Sequence, residues 1–116
     1  MAIDDPLQIE RREGKSADTL IFQLTGPVTL RNLFDLQGQL RSGEQPKAAI
    51  LDLSGVPYMD SAGMGAIMNY YVHCQNHGVK LIIVGVSSRV LELFKMTRVD
   101  TVMTFAAGID EAEATL

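Results

Sequence analysis

A mixed α/β fold, with a sheet of about five strands packed against about four helices, is predicted by three features of the sequence. AAILDL (48–53) and VKLIIVG (79–85) are apolar on both alternating faces apart from Asp52 in the first and Lys80 in the second, as strands buried on both sides of a sheet are. Each run is followed by a helical pattern, and alternation of strand and helix requires crossover connections and parallel pairing. Ahead of them, LQIERRE (7–13) and TLIFQLT (19–25) flank the turn-forming GKSAD (14–18). These two runs read as a hairpin that gives the sheet an antiparallel edge.

The elements follow in order. The first strand alternates at Leu7 and Ile9 and then turns charged, as an edge strand does. The second carries Leu20, Phe22 and Leu24 on one face. Gly26 and Pro27 end it, and Thr29 is the expected N-cap of a first helix, with Val28 and Leu33 as a hydrophobic staple. Leu30, Leu33, Phe34, Leu36 and Leu40 recur at helical spacing up to Gly43, and Pro46 prevents continuation. A second helix follows the 48–53 strand, with Met64, Ile67, Met68, Tyr71 and Gln75 along one stripe and Gly78 at its close. Ser87 or Ser88 caps a third helix bearing Val90, Leu91, Phe94 and Met96. TVMTF (101–105) reads as a weaker strand and IDEAEATL (109–116) as a short acidic helix. No repeat, low-complexity tract or interdomain linker interrupts the 116 residues, so residues 1–116 are expected to form one domain.

Composition narrows the function classes. A net charge of -4 gives no basic footprint for nucleic acid or anionic lipid. The adjacent cations Arg11 and Arg12 are flanked by Glu10 and Glu13. Cys74 is the sole cysteine, so no intrachain disulfide forms and a reducing compartment fits. MAIDDPLQIE has neither a basic nor an apolar leader region, and no apolar run approaches the roughly 20 residues that span a bilayer. A cytoplasmic location without membrane insertion is the expectation.

The functional candidate is the strand-to-helix junction LSGVPYMDSAGMG (53–65). Asp60 and Ser61 are both favoured helix caps, and either residue suits that role. Gly63 and Gly65 lie in the first turns, where each glycine costs about 1 kcal/mol relative to alanine. They serve either close packing against a neighbouring strand or close approach of a partner to Ser61. Catalytic readings fail on residue identity. A nucleophile elbow needs glycine where Met59 stands, and a dinucleotide fingerprint starting at Gly63 needs one where Met68 stands. No phosphate-binding loop of the G-x-x-x-x-G-K-[ST] type occurs. A hydrolase using Asp60 and Ser61 lacks a base, because His73 and His77 lie far along the serine's own helix. Those histidines are spaced i, i+4, as metal ligands can be, but no third ligand has matching spacing. Met64 and Met68 read as core. The chain is therefore not expected to be an enzyme, nor to hold a metal or cofactor.

What remains is a hydroxyl displayed at a helix N-terminus. Free N–H groups and the helix dipole tolerate a phosphate there. Phosphorylation adds about -1.5 to -2 charges without unfolding the domain. A partner packed closely over the hydroxyl would have to desolvate that dianion, and a penalty of about 4 kcal/mol weakens binding roughly a thousandfold. One modification then leaves the fold intact and releases the partner.

The segment ILDLSGVPYMDSAGMG (50–65) resembles the signature of STAS domains, particularly bacterial anti-sigma-factor antagonists, and VKLIIVGVSSRVLELFKMTRVDTVMTF (79–105) resembles the family's next strand, helix and strand. The resemblance runs from about Leu20 to the C-terminus. It implies a single STAS-like α/β domain without enzymatic activity. It also implies binding to an anti-sigma factor that is an ATP-dependent serine kinase. Ser61 is then the phosphorylated serine, with Asp60 beside it. The unphosphorylated form holds the anti-sigma factor and so frees the sigma factor, until phosphorylation ends binding and a phosphatase resets it. Many antagonists carry a G-E-[LIV]-D pattern after the second strand, whereas this chain has Gly26, Pro27, Val28 and Thr29. Contacts made through those acids, nucleotide contacts included, are not implied here.

The partner surface is expected to include Met59, Asp60, Ser61, Gly63, part of Met64, and the Ser87–Ser88 loop if adjacent parallel strands carry both loops. The alternative within the same fold is a soluble STAS subunit of a membrane lipid-transport complex, a structural partner in which Ser61 need not be phosphorylated.

Overall fold

The computed structural model describes residues 6–116; residues 1–5, the start of the segment expected to carry no leader, lie outside the described residues. Strands β1 (Gln8–Glu13), β2 (Thr19–Thr25), β3 (Ala48–Gly55), β4 (Lys80–Val84) and β5 (Thr104–Ala106) form one sheet in sequential order. The β1–β2 hairpin is antiparallel and every other pairing is parallel. Helices α1 (Leu33–Arg41), α2 (Ser61–Asn76) and α3 (Ser88–Met96) are the crossovers; α4 (Ile109–Ala114) closes the chain. A short 3₁₀ turn, Val99–Thr101, precedes β5.

Alternation along the central strands divides the interior in two. Phe22, Leu24, Ala49, Leu51, Leu53 and Ile83 face α1–α3 in the larger core, with Leu36, Leu40, Ile67, Tyr70 and Phe94 from the helices. Ile21, Ile50, Ile82 and Val84 face the other way, and Ala112 and Ile109 of α4 cover them. Asp52 lies on this second face, 6% exposed. Its carboxylate accepts from Gln23 Nε2 at 3.1 Å and from the Ser54 N–H at 2.9 Å, so the charge is hydrogen-bonded as burial requires.

Several element details differ from the sequence expectations. α1 starts at Leu33 rather than near Leu30, because the residues before it form a bracketed turn. Asn32 Oδ1 accepts from the Thr29 N–H at 3.0 Å, Asn32 Nδ2 donates to the Pro27 carbonyl at 2.9 Å, and Thr29 Oγ1 accepts from the Arg31 N–H. Thr29 thus holds the turn, not the helix end. Leu30 and Phe34 do not join the core stripe; they are 65% and 77% exposed. On α2 the buried stripe is Gly63, Met64, Ala66, Ile67, Tyr70 and Cys74, while Gln75 is exposed. Tyr70 is drawn in by an edge-on contact with Phe22, ring centroids 6.3 Å apart. The last strand starts at Thr104, not Thr101, because the 3₁₀ turn consumes the preceding residues.

α1 and α2 lie side by side and run the same way. Leu30 bonds to Asp60, Arg41 Nη2 donates to Asn69 Oδ1 at 3.1 Å, and Gln45 meets His73 at 2.8 Å. Both helices therefore begin at the same end of the sheet, where β2 and β3 finish. Among the described residues no helix is long and apolar enough to cross a membrane.

Candidate functional site

Parallel β3 and β4 are neighbours, so the loops that leave them toward α2 and α3 emerge at one end of the sheet. Functional loops gather at this end in open parallel sheets. A contact joins the two loops directly: the guanidinium of Arg89, in the first turn of α3, lies 5.4 Å from the centroid of the Tyr58 ring.

At the start of α2 the cap is Asp60, not Ser61. Asp60 has extended backbone and its Oδ1 accepts from the Gly63 N–H at 2.7 Å. Its other oxygen, Oδ2, accepts from the Leu30 N–H at 3.1 Å. One carboxylate thus satisfies an orphan donor of α2 and ties the β2–α1 turn to it. Ser61 becomes the first helical residue. It is exposed, and its hydroxyl enters no hydrogen bond among the described residues. The serine is displayed because its neighbour performs the capping.

The two glycines divide between the two roles the sequence left open. A Cβ on Gly63 would overlap the Val28 carbonyl oxygen and lie 2.7 Å from its carbon. The backbone here is laced tightly: Val28 N–H donates to the Tyr58 carbonyl, and Asp60 N–H to the Val28 carbonyl, each at 3.2 Å. Gly63 is therefore a packing requirement. A Cβ on Gly65 would meet nothing within 4 Å. Gly65 is exposed one turn beyond Ser61 on the same face, and no contact within the chain requires a glycine there.

The expected partner surface separates accordingly. Asp60, Ser61, Ser87 and Ser88 are exposed at this end of the molecule. Met59 and Met64 are not surface residues, being 8% and 3% exposed. Met59 is pulled inward by its bridge to Val28, and Met64 points down the core side of α2. Gly63 is buried against Val28, as described. These three support the site from beneath. Ser87 caps α3, accepting from the Val90 N–H at 3.2 Å, and Ser88 is that helix's first residue. Near this end of the molecule the sequence reading passed over Tyr58 and Arg89 and assigned Leu30 and Phe34 to the core stripe of α1. A signal against the last assignment existed, since Leu33, Leu36 and Leu40 form a core stripe that leaves Phe34 about 100° round α1, whereas Leu30 lies in the turn before that helix. Thr29, Leu30, Arg31, Tyr58 and Asp60 line a shallow cleft of about 260 Å³ beside the serine.

The histidines lie at the other end of α2. Their rings sit 4.2 Å apart; His77 Nδ1 meets the His73 carbonyl at 2.8 Å, and His73 Nε2 meets Gln45. Partial burial first, then the charges of His77 and Arg41, push the His73 pKa below its ordinary value. Among the described residues no three His, Cys, Asp or Glu side chains gather as metal ligands. Burial raises both the Tyr70 phenol and the Cys74 thiol above their usual ranges, as befits core groups that stay neutral.

The family model of the STAS domain matches residues 8–112. The chain belongs to the STAS domain family. Solved structures similar to this STAS domain include an anti-sigma factor antagonist from Mycobacterium paratuberculosis, with a TM-score of 0.86 and 14% identity, covering 99% of this chain and 97% of that one. The anti-sigma factor antagonist SpoIIAA in its unphosphorylated form aligns with a TM-score of 0.68 and 14% identity over 95% of this chain and 96% of its own. A sulfate transporter family protein from Wolinella succinogenes aligns with a TM-score of 0.77 and 28% identity over 86% of this chain and 85% of its own. The fold is common to all three, two anti-sigma factor antagonists and a sulfate transporter family protein.

Proposed function

We propose that this STAS domain is an anti-sigma-factor antagonist, a non-enzymatic binding protein switched by phosphorylation of Ser61. Unphosphorylated, it binds an anti-sigma factor that is also a serine kinase, and a sigma factor is released. The kinase transfers the γ-phosphoryl group of ATP to Ser61 Oγ as the hydroxyl proton leaves; binding then ends until a phosphatase hydrolyses the ester. Residues 1–116 act as one cytoplasmic unit, with no cofactor, metal, nucleic acid or membrane insertion in the mechanism.

The observation that carries this reading is the division of labour between Asp60 and Ser61. Because Asp60 Oδ1 fills the cap, the exposed Ser61 hydroxyl has no structural duty to lose on modification. The first turn of α2 offers a favourable field for the added anion, so the fold tolerates the ester. Bare Gly65 lets a partner come close enough that a dianion would obstruct it.

The test is incubation of the purified protein with candidate ATP-dependent anti-sigma kinases, followed by mass mapping. Ser61→Ala should stay folded, resist phosphorylation and bind constitutively, whereas Ser61→Glu should stay folded and bind weakly. A phosphosite elsewhere, or full-strength binding by Ser61→Glu, would sink the proposal.

The 28% identity to a sulfate transporter family protein favours a second reading, in which the domain is a structural partner of a membrane transporter. Under it, Ser61→Ala and Ser61→Glu would join a permease complex equally well, and no kinase would be needed.

A further inference from the structure

Two large apolar side chains stand in water next to the switch residue. Leu30 is 65% and Phe34 77% exposed, while Leu33, Leu36 and Leu40 supply what α1 needs to pack on the sheet. Exposed apolar residues scattered singly need no explanation, but these two are four residues apart, one in the turn before α1 and one in its first turn, and Leu30 bonds to the neighbour of a candidate modification site. Leu30 donates its N–H to Asp60 Oδ2, and Asp60 precedes Ser61. Arg41, two turns beyond Phe34 on the same face of α1, reaches Asn69 of the parallel helix α2, so Phe34 lies on the α2-facing side of α1 toward the start of α2. The surroundings are low. Gly38, one turn beyond Phe34, and Gly65, one turn beyond Ser61, are both exposed, with nothing within 4 Å of a would-be Cβ.

We propose that Leu30 and Phe34 are the apolar anchor of the interface that Ser61 switches, occupied by the same protein that phosphorylates it. This rests on the reading of Ser61 given above. Continuity argues for one occupant: a body thick enough to bury the Phe34 ring reaches across the first turn of α2, and a body that senses a phosphate on Ser61 overhangs Leu30. The partner's chemistry follows. It offers an apolar cup for an aromatic ring, beside a close-fitting surface without basic groups to pair with a phosphate, lying over Ser61 and Gly65. Affinity and switching are then separable, with Phe34 contributing affinity and Ser61 deciding whether the complex forms. Aromatic anchors of this kind dominate protein interfaces.

The experiment uses the full chain and the anti-sigma serine kinase that phosphorylates it. Phe34→Ala should weaken binding of the unphosphorylated protein by about 30-fold or more, and Leu30→Ala by several-fold. For phosphorylation of Ser61, Phe34→Ala should raise KM by a similar factor and leave kcat unchanged. The melting temperatures of both variants should stay near that of the parent, since neither side chain is in the core. Met96→Ala removes an equally exposed apolar side chain, 80% exposed at the far end of α3, and should change neither constant. Phosphorylation of the parent with Phe34→Ala binding within twofold of it overturns the anchor and leaves the Ser61 reading standing. Failure of anti-sigma kinases to modify or bind the parent overturns both. Sedimentation closes the remaining case: a parent dimer that Phe34→Ala dissociates assigns the patch to a second copy and overturns the partner named here.

Discussion

The starts of α2 and α3 share a plan and differ in every detail that matters for display. Each has a side-chain cap, Asp60 or Ser87, followed by an exposed serine, Ser61 or Ser88. Three residues after the cap, α3 carries the buried Val90, where α2 has Gly63 pressed on the Val28 carbonyl. One turn past the serine, α3 carries the exposed Glu92, where α2 has bare Gly65. Arg89 beside Ser88 folds over Tyr58. An exposed hydroxyl at a helix start is therefore not distinctive in itself. What sets Ser61 apart is a cap tied to the neighbouring β2–α1 turn and a bare glycine one turn beyond it.

The largest expected effect attacks the position where the two helices differ most. Gly63→Ala should cost about 3 kcal/mol in denaturant unfolding, because the new methyl meets backbone that is hydrogen-bonded in place. Next comes the cap itself. Asp60→Ala should cost about 2 kcal/mol, since it strands both the Gly63 and Leu30 donors, while Asp60→Asn keeps an acceptor and loses less. The serines then sharpen the comparison. Ser87→Ala should cost about 1 kcal/mol as a lost cap, whereas Ser61→Ala should stay within about 0.5 kcal/mol of the parent. Equal losses at Ser61 and Ser87 would break the contrast. Gly65→Ala should raise stability by up to about 1 kcal/mol yet weaken partner binding, a combination that a purely structural glycine cannot produce.

The smallest effect is at the opposite end of α2. The His73 pKa is lower in the folded chain than in the unfolded one, so below the ordinary histidine value the unfolded chain binds more protons. Stability should therefore decline gently as pH falls from 7 toward the depressed His73 value, and His73→Gln should flatten that slope. Solvent screening keeps the change small.

Much of this architecture is legible in the residues. β3 and β4 announce themselves because apolar side chains on both faces suit only a strand covered on both sides. The hairpin and the order of crossovers follow from the same patterning. Helix rotation is harder to read. Tyr70 and Tyr71 are adjacent and chemically alike, and it is Tyr70 that the fold buries, edge-on to Phe22. Leu30 and Phe34 match the helical spacing of a core stripe already complete without them. At the site, Asp60 and Ser61 are equally good caps on paper. Only a carboxylate oxygen 2.7 Å from the Gly63 N–H settles which one acts. Likewise, no spacing rule distinguishes a glycine required by Val28 from one that nothing in the chain requires.

The thin roof on the far side of the sheet has a practical consequence. Ile21, Ile50, Ile82 and Val84 are sheltered by the six residues of α4, with Ala112 pressed against them. Truncating the chain before Ile109 would bare a continuous aliphatic slab, and the expected outcome is clumping in the test tube. Loss of solubility in shortened versions should therefore not be mistaken for loss of regulation.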